Sequence, residues 1–246
     1  MINISELMGY VLHAKDGELG QCKDFLIDDR GWDIRYMVAD TRKWLPGRKV
    51  VIVPFMLKEP EWSSRSLPVN LTREQVRGSP PLQENEPVSS EYEMMWFDYY
   101  GLAEYWVEED KIGMAENPTA LPVAKKDGTG GEKMDEKRHL LSAKEIVGWH
   151  TVAADGEIGH LADFLVEMKT WKVRYAVLDT RNWLPGRQVC VSVHCVEWID
   201  QVREKIGVRL TREAVKNSPE YNPFVPMTEG YQIVLHDYYG WPKYWK

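Results

Sequence analysis

Cys190, Ser192 and His194 sit at alternate positions, the spacing that sets a thiol, a hydroxyl and an imidazole on one face of a β-strand. Such a face could hold an activated nucleophile or part of a metal site. Only Cys190 and His194 are good zinc ligands, however, and zinc takes three or four. A second group is carboxylic: Asp16, Asp24 and Asp40, with Asp155, Asp163 and Asp179. Paired carboxylates can share acid–base work. Beside turns, single Asp residues more simply accept from local N–H groups or pair with Arg. The chain has no Gly-rich phosphate loop, no His-Glu-x-x-His and no nucleophile-elbow pattern. The residues therefore point to no catalytic, cofactor or metal site, and an enzyme is not expected.

These positions belong to a framework written twice at a fixed offset of 139 residues. Asp24-Phe25-Leu26 matches Asp163-Phe164-Leu165, and Trp44-Leu45-Pro46-Gly47-Arg48 matches Trp183-Leu184-Pro185-Gly186-Arg187. Asp98-Tyr99-Tyr100-Gly101 matches Asp237-Tyr238-Tyr239-Gly240. Between Gly9 and Val50, 22 of 42 positions are identical without a gap, so shared residues are first of all what each copy needs to fold. Where the second copy has Cys190, Ser192 and His194, the first has Val51, Val53 and Phe55, ordinary strand residues. A period this long marks two complete domains rather than stacked short units. They are assigned to residues 1–106 and 140–246. Residues 107–139, with Pro118, Pro122 and Gly128-Thr129-Gly130-Gly131, read as a flexible charged linker.

Each copy opens as a β-meander. Asp16-Gly17 and Asp155-Gly156 are tight-hairpin signals, and Ile34 to Ala39 is apolar at both parities, as in a strand covered on both faces. Leu45-Pro46-Gly47-Arg48 suits a type II turn. Short strands at such intervals point to a small barrel, which leaves no exposed edge. Helical punctuation follows: a capping box at Thr72-Arg73-Glu74-Gln75, a second cap at Ser90, and Gly101 as the C′ residue.

The net charge of −7 lies in residues 1–139, and no basic stripe exists to neutralise phosphates, so nucleic acid is not an expected partner. Three cysteines do not make a disulfide framework and suit a reducing compartment. The longest apolar run, Val50 to Leu57, contains Pro54 and falls far short of the roughly 20 residues of a spanning helix. With no charged n-region and apolar stretch at Met1-Ile2-Asn3-Ile4-Ser5-Glu6, a signal peptide is not expected. A soluble, cytoplasmic chain without direct membrane insertion is expected.

Asp24-Phe25-Leu26, Ile34-Arg35-Tyr36-Met37-Val38-Ala39-Asp40-Thr41 and Trp44-Leu45-Pro46-Gly47-Arg48-Lys49-Val50 together resemble the PRC-barrel domain. That barrel forms the cytoplasmic part of the photosynthetic reaction centre H subunit and the C-terminal domain of the ribosome maturation factor RimM. The resemblance covers about 60 residues of each half, and what it implies is a mainly β fold: two small antiparallel PRC-type barrels, each followed by short C-terminal helices. It also implies binding and assembly rather than turnover. The expected function is a non-enzymatic adaptor that binds a protein partner, at the cytoplasmic face of a membrane or energy-transducing complex by analogy. The alternative is a small-ligand or metal-binding module with its site between the barrels. A homodimer is also allowed.

Two sets of residues are candidates for contact. The loops Asp40, Trp44, Arg48 and Asp179, Trp183, Arg187 either present an Arg-flanked Trp to an acidic or aromatic partner or close one end of each barrel. The second reading is favoured. The aromatics Tyr99, Tyr100, Trp106, Tyr238, Tyr239 and Trp245 are expected at a seam between repeats or between chains, because one end of such a side chain is apolar and the other hydrogen-bonds.

Overall fold

The computed structural model describes residues 1–83, 86–102, 140–180 and 187–245. The expected linker, Trp106 and Trp183 lie outside them. The chain is mainly β, with two mixed sheets each followed by short helices. In the first sheet β2 (Val11–Ala14), β3 (Gly17–Asp28), β4 (Ile34–Asp40), β5 (Val50–Ile52) and β6 (Ser66–Pro68) lie in the order β5-β4-β3-β2-β6. In the second, β8 (His150–Ala153), β9 (Gly156–Glu167), β10 (Lys172–Asp179), β11 (Gln188–Ser192), β12 (Val196–Asp200) and β13 (Lys205–Val208) lie in the order β11-β10-β9-β8-β13-β12. The parallel pairs β2–β6 and β8–β13 make both sheets mixed. They arise because the chain crosses over after β5, and again after β11, so that β6 and β13 lie alongside β2 and β8.

Residue chemistry explains the strands. Ile34 to Ala39 of β4 is buried throughout, as its two apolar parities require. Gly20 and Gly159 sit where β3 and β9 pass the ends of β4 and β10. A Cβ at either would lie 2.0 Å from the carbonyl oxygen of Asp40 or Asp179, and their φ values of +139° and +127° disfavour other residues.

The helices start and stop on side-chain signals. Thr72 and Gln75 close a reciprocal capping box on α1 (Arg73–Gly78), and Thr211 caps α4 (Arg212–Lys216). α2 (Ser90–Tyr100) is capped by Ser89, one residue before the expected Ser90, and α5 (Glu229–Tyr239) by Thr228. Gly101 and Gly240 end them in the left-handed conformation.

Contacts divide the chain into two compact units. One comprises Met1–Met8, Asp24–Arg35 and His139–Lys246, the other Gly9–Lys23 and Tyr36–Arg138. The first unit draws on both repeats because their N-terminal arms are exchanged. β1 (Ile2–Asn3) pairs with β9 of the second repeat, Ile2 opposite Val166. β7 (Leu140–Ser142), which leads into α3 (Ala143–Ile146), pairs with β3 of the first, Ile27 opposite Leu141. Asp163 accepts from the Ser5 backbone N–H at 3.3 Å and from its hydroxyl. Asp24 accepts from the Lys144 N–H at 3.0 Å and the Ser142 hydroxyl at 2.5 Å.

The exchange continues at the turns after β3 and β9. Phe25 stacks on Trp171 at 6.0 Å, and its counterpart Phe164 meets Trp32 at 6.1 Å. The Ile34 N–H donates to the Trp171 carbonyl at 3.0 Å, and the Val173 N–H donates to the Trp32 carbonyl at 2.8 Å. Each pair is the other's image under the 139-residue offset. These reciprocal contacts all lie within the first unit.

Candidate interaction site

The Asp-Thr-Arg-x-Trp-Leu-Pro-Gly-Arg block is built into its own repeat. Arg48 donates to the carbonyls of Arg77 at 2.9 Å, Ser79 at 2.8 Å and Pro80 at 3.1 Å, closing the C-terminal end of α1. A guanidinium suits this place because the last carbonyls of a helix lack partners and carry partial negative charge. Arg187 does the same for α4 through the carbonyls of Lys216, at 2.7 Å, and Ser218. Trp44 is half-buried, and its indole N–H donates to the Leu19 carbonyl at 2.7 Å. The guanidinium carbons of Arg73 and Arg77 lie 4.6 and 5.7 Å from the centre of its ring. Asp40 is held by Arg42 at 2.6 Å, and that hydrogen bond lowers its pKa from the usual carboxylate value. Asp179 ends β10 opposite Gln188 and His160.

The other carboxylates have structural partners too. Asp16 and Asp155 each accept the first N–H of the following helix, from Arg73 and Arg212, both at 2.7 Å. Asp24 and Asp163 hold the exchanged arms, and burial raises their pKa against the arm hydrogen bonds that lower it. Cys22, Cys190 and Cys195 are buried free thiols. Burial pushes the Cys190 thiol up, Ser192 is buried, and His194 is exposed beyond the strand, so the triplet does not converge. Among the described residues no group of three or more His, Cys, Asp or Glu could hold a metal ion.

The C-terminal helices differ from the rest in having two apolar faces. The inner face of α2 buries Tyr92, Glu93, Trp96 and Phe97, with Tyr36 donating to Glu93 Oε1 at 2.6 Å. α5 buries Leu235 and His236. The nominated tyrosines tie each helix to its own repeat: Tyr99 donates to the Gln75 carbonyl at 3.0 Å and Tyr238 to the equivalent Ala214 carbonyl at 2.7 Å. Tyr100 reaches the same Gln75 carbonyl at 3.4 Å, Tyr239 stacks on Trp241 at 4.2 Å, and Trp245 abuts His236 at 4.6 Å. Among the described residues, Phe25 with Trp171 and Trp32 with Phe164 make aromatic contacts between the repeats. Their identity at a common offset was the sequence signal for these contacts.

The outer faces are partly exposed. Met94, Met95 and Tyr99 are 41, 49 and 43 % exposed, and their counterparts Ile233, Val234 and Tyr238 are 36, 55 and 39 % exposed. A soluble helix ordinarily turns polar residues outward. Exposed carboxylates flank both stripes, Glu91 and Asp98 on α2 and Glu229 and Asp237 on α5. The surface also has a cavity of about 20 Å³ beside Asp40, Arg42 and Arg48, and an open depression of about 560 Å³ beside Asp29, Trp198 and Asp200. Among the described residues no helix is long and apolar enough to cross a membrane. Neither the protein-family models nor the curated proteins compared with the chain match it.

Proposed function

We propose that the chain is a non-enzymatic adaptor, built on two PRC-type barrels, that binds another protein through the outer stripes of α2 and α5. One observation carries this reading. The two copies have diverged at these positions, Met94 to Ile233 and Met95 to Val234, yet both remain apolar where folding does not bury them. Residues kept apolar without burial are accounted for by a contact outside the chain. The partner that fits is an amphipathic segment with an apolar face and basic flanks, complementary to Glu91, Asp98 and Glu229. The acidic net charge of −7 opposes pairing of two copies.

The test replaces the stripes in pairs, Met94→Glu with Met95→Glu and Ile233→Glu with Val234→Glu, and compares cross-linked partners recovered from native lysate. Both variants should lose a protein held by the parent chain while stability changes by less than about 0.5 kcal/mol, as for ordinary surface substitutions. Partners recovered equally by parent and variants would overturn the assignment. A dimer of the parent chain that the variants abolish would instead identify a second copy as occupant.

A further inference from the structure

α5 is fastened to its sheet through a buried imidazole. His236 is 4 % exposed, with the Tyr175 hydroxyl 2.7 Å from Nε2 and the Pro242 carbonyl 2.8 Å from Nδ1. A carbonyl can only accept, so Nδ1 carries the hydrogen and Nε2 accepts from Tyr175. The neutral ring thereby joins β10, α5 and the segment that follows, whose Trp241, Tyr244 and Trp245 rings lie 5.7, 5.7 and 4.6 Å away. The first repeat makes the same joint with a carboxylate in place of the imidazole. Phe97 stands at the equivalent position, and Tyr36 donates to Glu93, the counterpart of Gln232.

We propose that His236 is an acid-operated latch beneath the second docking helix: protonation at Nε2 frees residues 241–245 and loosens α5, leaving α2 in place. A proton from solvent takes the lone pair that now accepts from Tyr175, so the ring becomes a donor on both sides, with a full charge held away from water. The groups around it give little compensation. From β10 come Tyr175 and Arg174, whose guanidinium lies 4.0 Å from the Tyr244 ring and pairs with Glu167 of β9 at 2.5 Å. From β11 comes Cys190, in the same apolar cluster as Tyr175. On α5 itself Asp237 is paired with Lys243 at 2.7 Å. Both carboxylates are thus committed to cations. Burial holds the imidazole below its usual value, against the Pro242 and Trp241 carbonyls, which raise it. For a base whose folded pKa is depressed, stability is intact above the unfolded value and is lost as pH falls below it, by up to about tenfold per unit below about 6.5.

Control of partner binding by this latch rests on the docking role proposed for α5, but the latch itself does not. Hydrogen exchange of the full chain, corrected for intrinsic rates, should lose up to about tenfold protection in residues 229–245 between pH 7.5 and 5.5, with residues 90–102 unchanged. His236→Phe combined with Gln232→Glu installs the first repeat's joint and should remove the difference. Equal protection of residues 229–245 at both pH values overturns the latch, as does a loss that persists in the doubly substituted chain. Should that chain fail to fold, the comparison of the two helices in the parent decides alone. No partner enters this measurement, so a failure to bind one counts only against the docking role.

Discussion

Arg48 and Arg187 end as helix caps because a planar fork of donors is the side chain that can reach several terminal carbonyls at once. Their loop positions were legible in the chain, but their targets, 29 to 32 residues further on, were not. Trp44 is half-buried, and its polar edge and its ring are used within its own repeat. Gly20 is among the tightest residue-scale constraints: added bulk would meet the Asp40 carbonyl at 2.0 Å, at a positive φ that disfavours other residues. Gly20→Ala should destabilise the protein by about 2–4 kcal/mol, between backbone strain and a severe core lesion. Denaturant unfolding measures it, and an unchanged midpoint would mean that β3 can move away from β4 without cost.

At the scale of elements, strands and caps follow from periodicity and turn residues, whereas pairing does not. β1 and β7 each run only two or three residues, with nothing local to name a partner strand. They are fixed by Asp24 and Asp163, which sit 120 and 158 residues from the backbone N–H groups they accept. Ser5→Ala and Asp163→Ala should therefore couple, with a double-mutant interaction of about 1.5–3 kcal/mol, the range for a hydrogen bond to a charged group. Additive effects would show that the arm is held by its apolar residues alone. The folded pKa of Asp24 and Asp163 is raised. Their protonated forms thus favour the fold below the unfolded value of 3.8, and that contribution is lost as pH rises through the folded value. The double stripe on α2 and α5 was hard to see in sequence because large apolar and aromatic residues occupy both faces, which blurs the helical period.

For the whole molecule, the exchange means that a compact unit is assembled from distant parts of the chain. Ile4 and Leu7, 1 and 0 % exposed, lie in the same unit as the second repeat's sheet. Deleting residues 1–8 should lower the melting temperature and speed hydrogen exchange in β9, since it removes two buried aliphatic side chains worth about 2–5 kcal/mol each on truncation. Unaltered exchange at Leu165 and Val166 would exclude the arm as a support of that strand. The amino-acid order by itself determined the duplication, the strand-rich halves, the capped helices and the turn residues, because these depend on neighbours a few positions apart. Which arm pairs with which strand, where each carboxylate points and which face of a helix is left in water were decided only by tertiary structure. Those outcomes depend on long-range burial and hydrogen-bond satisfaction, which local spacing does not encode.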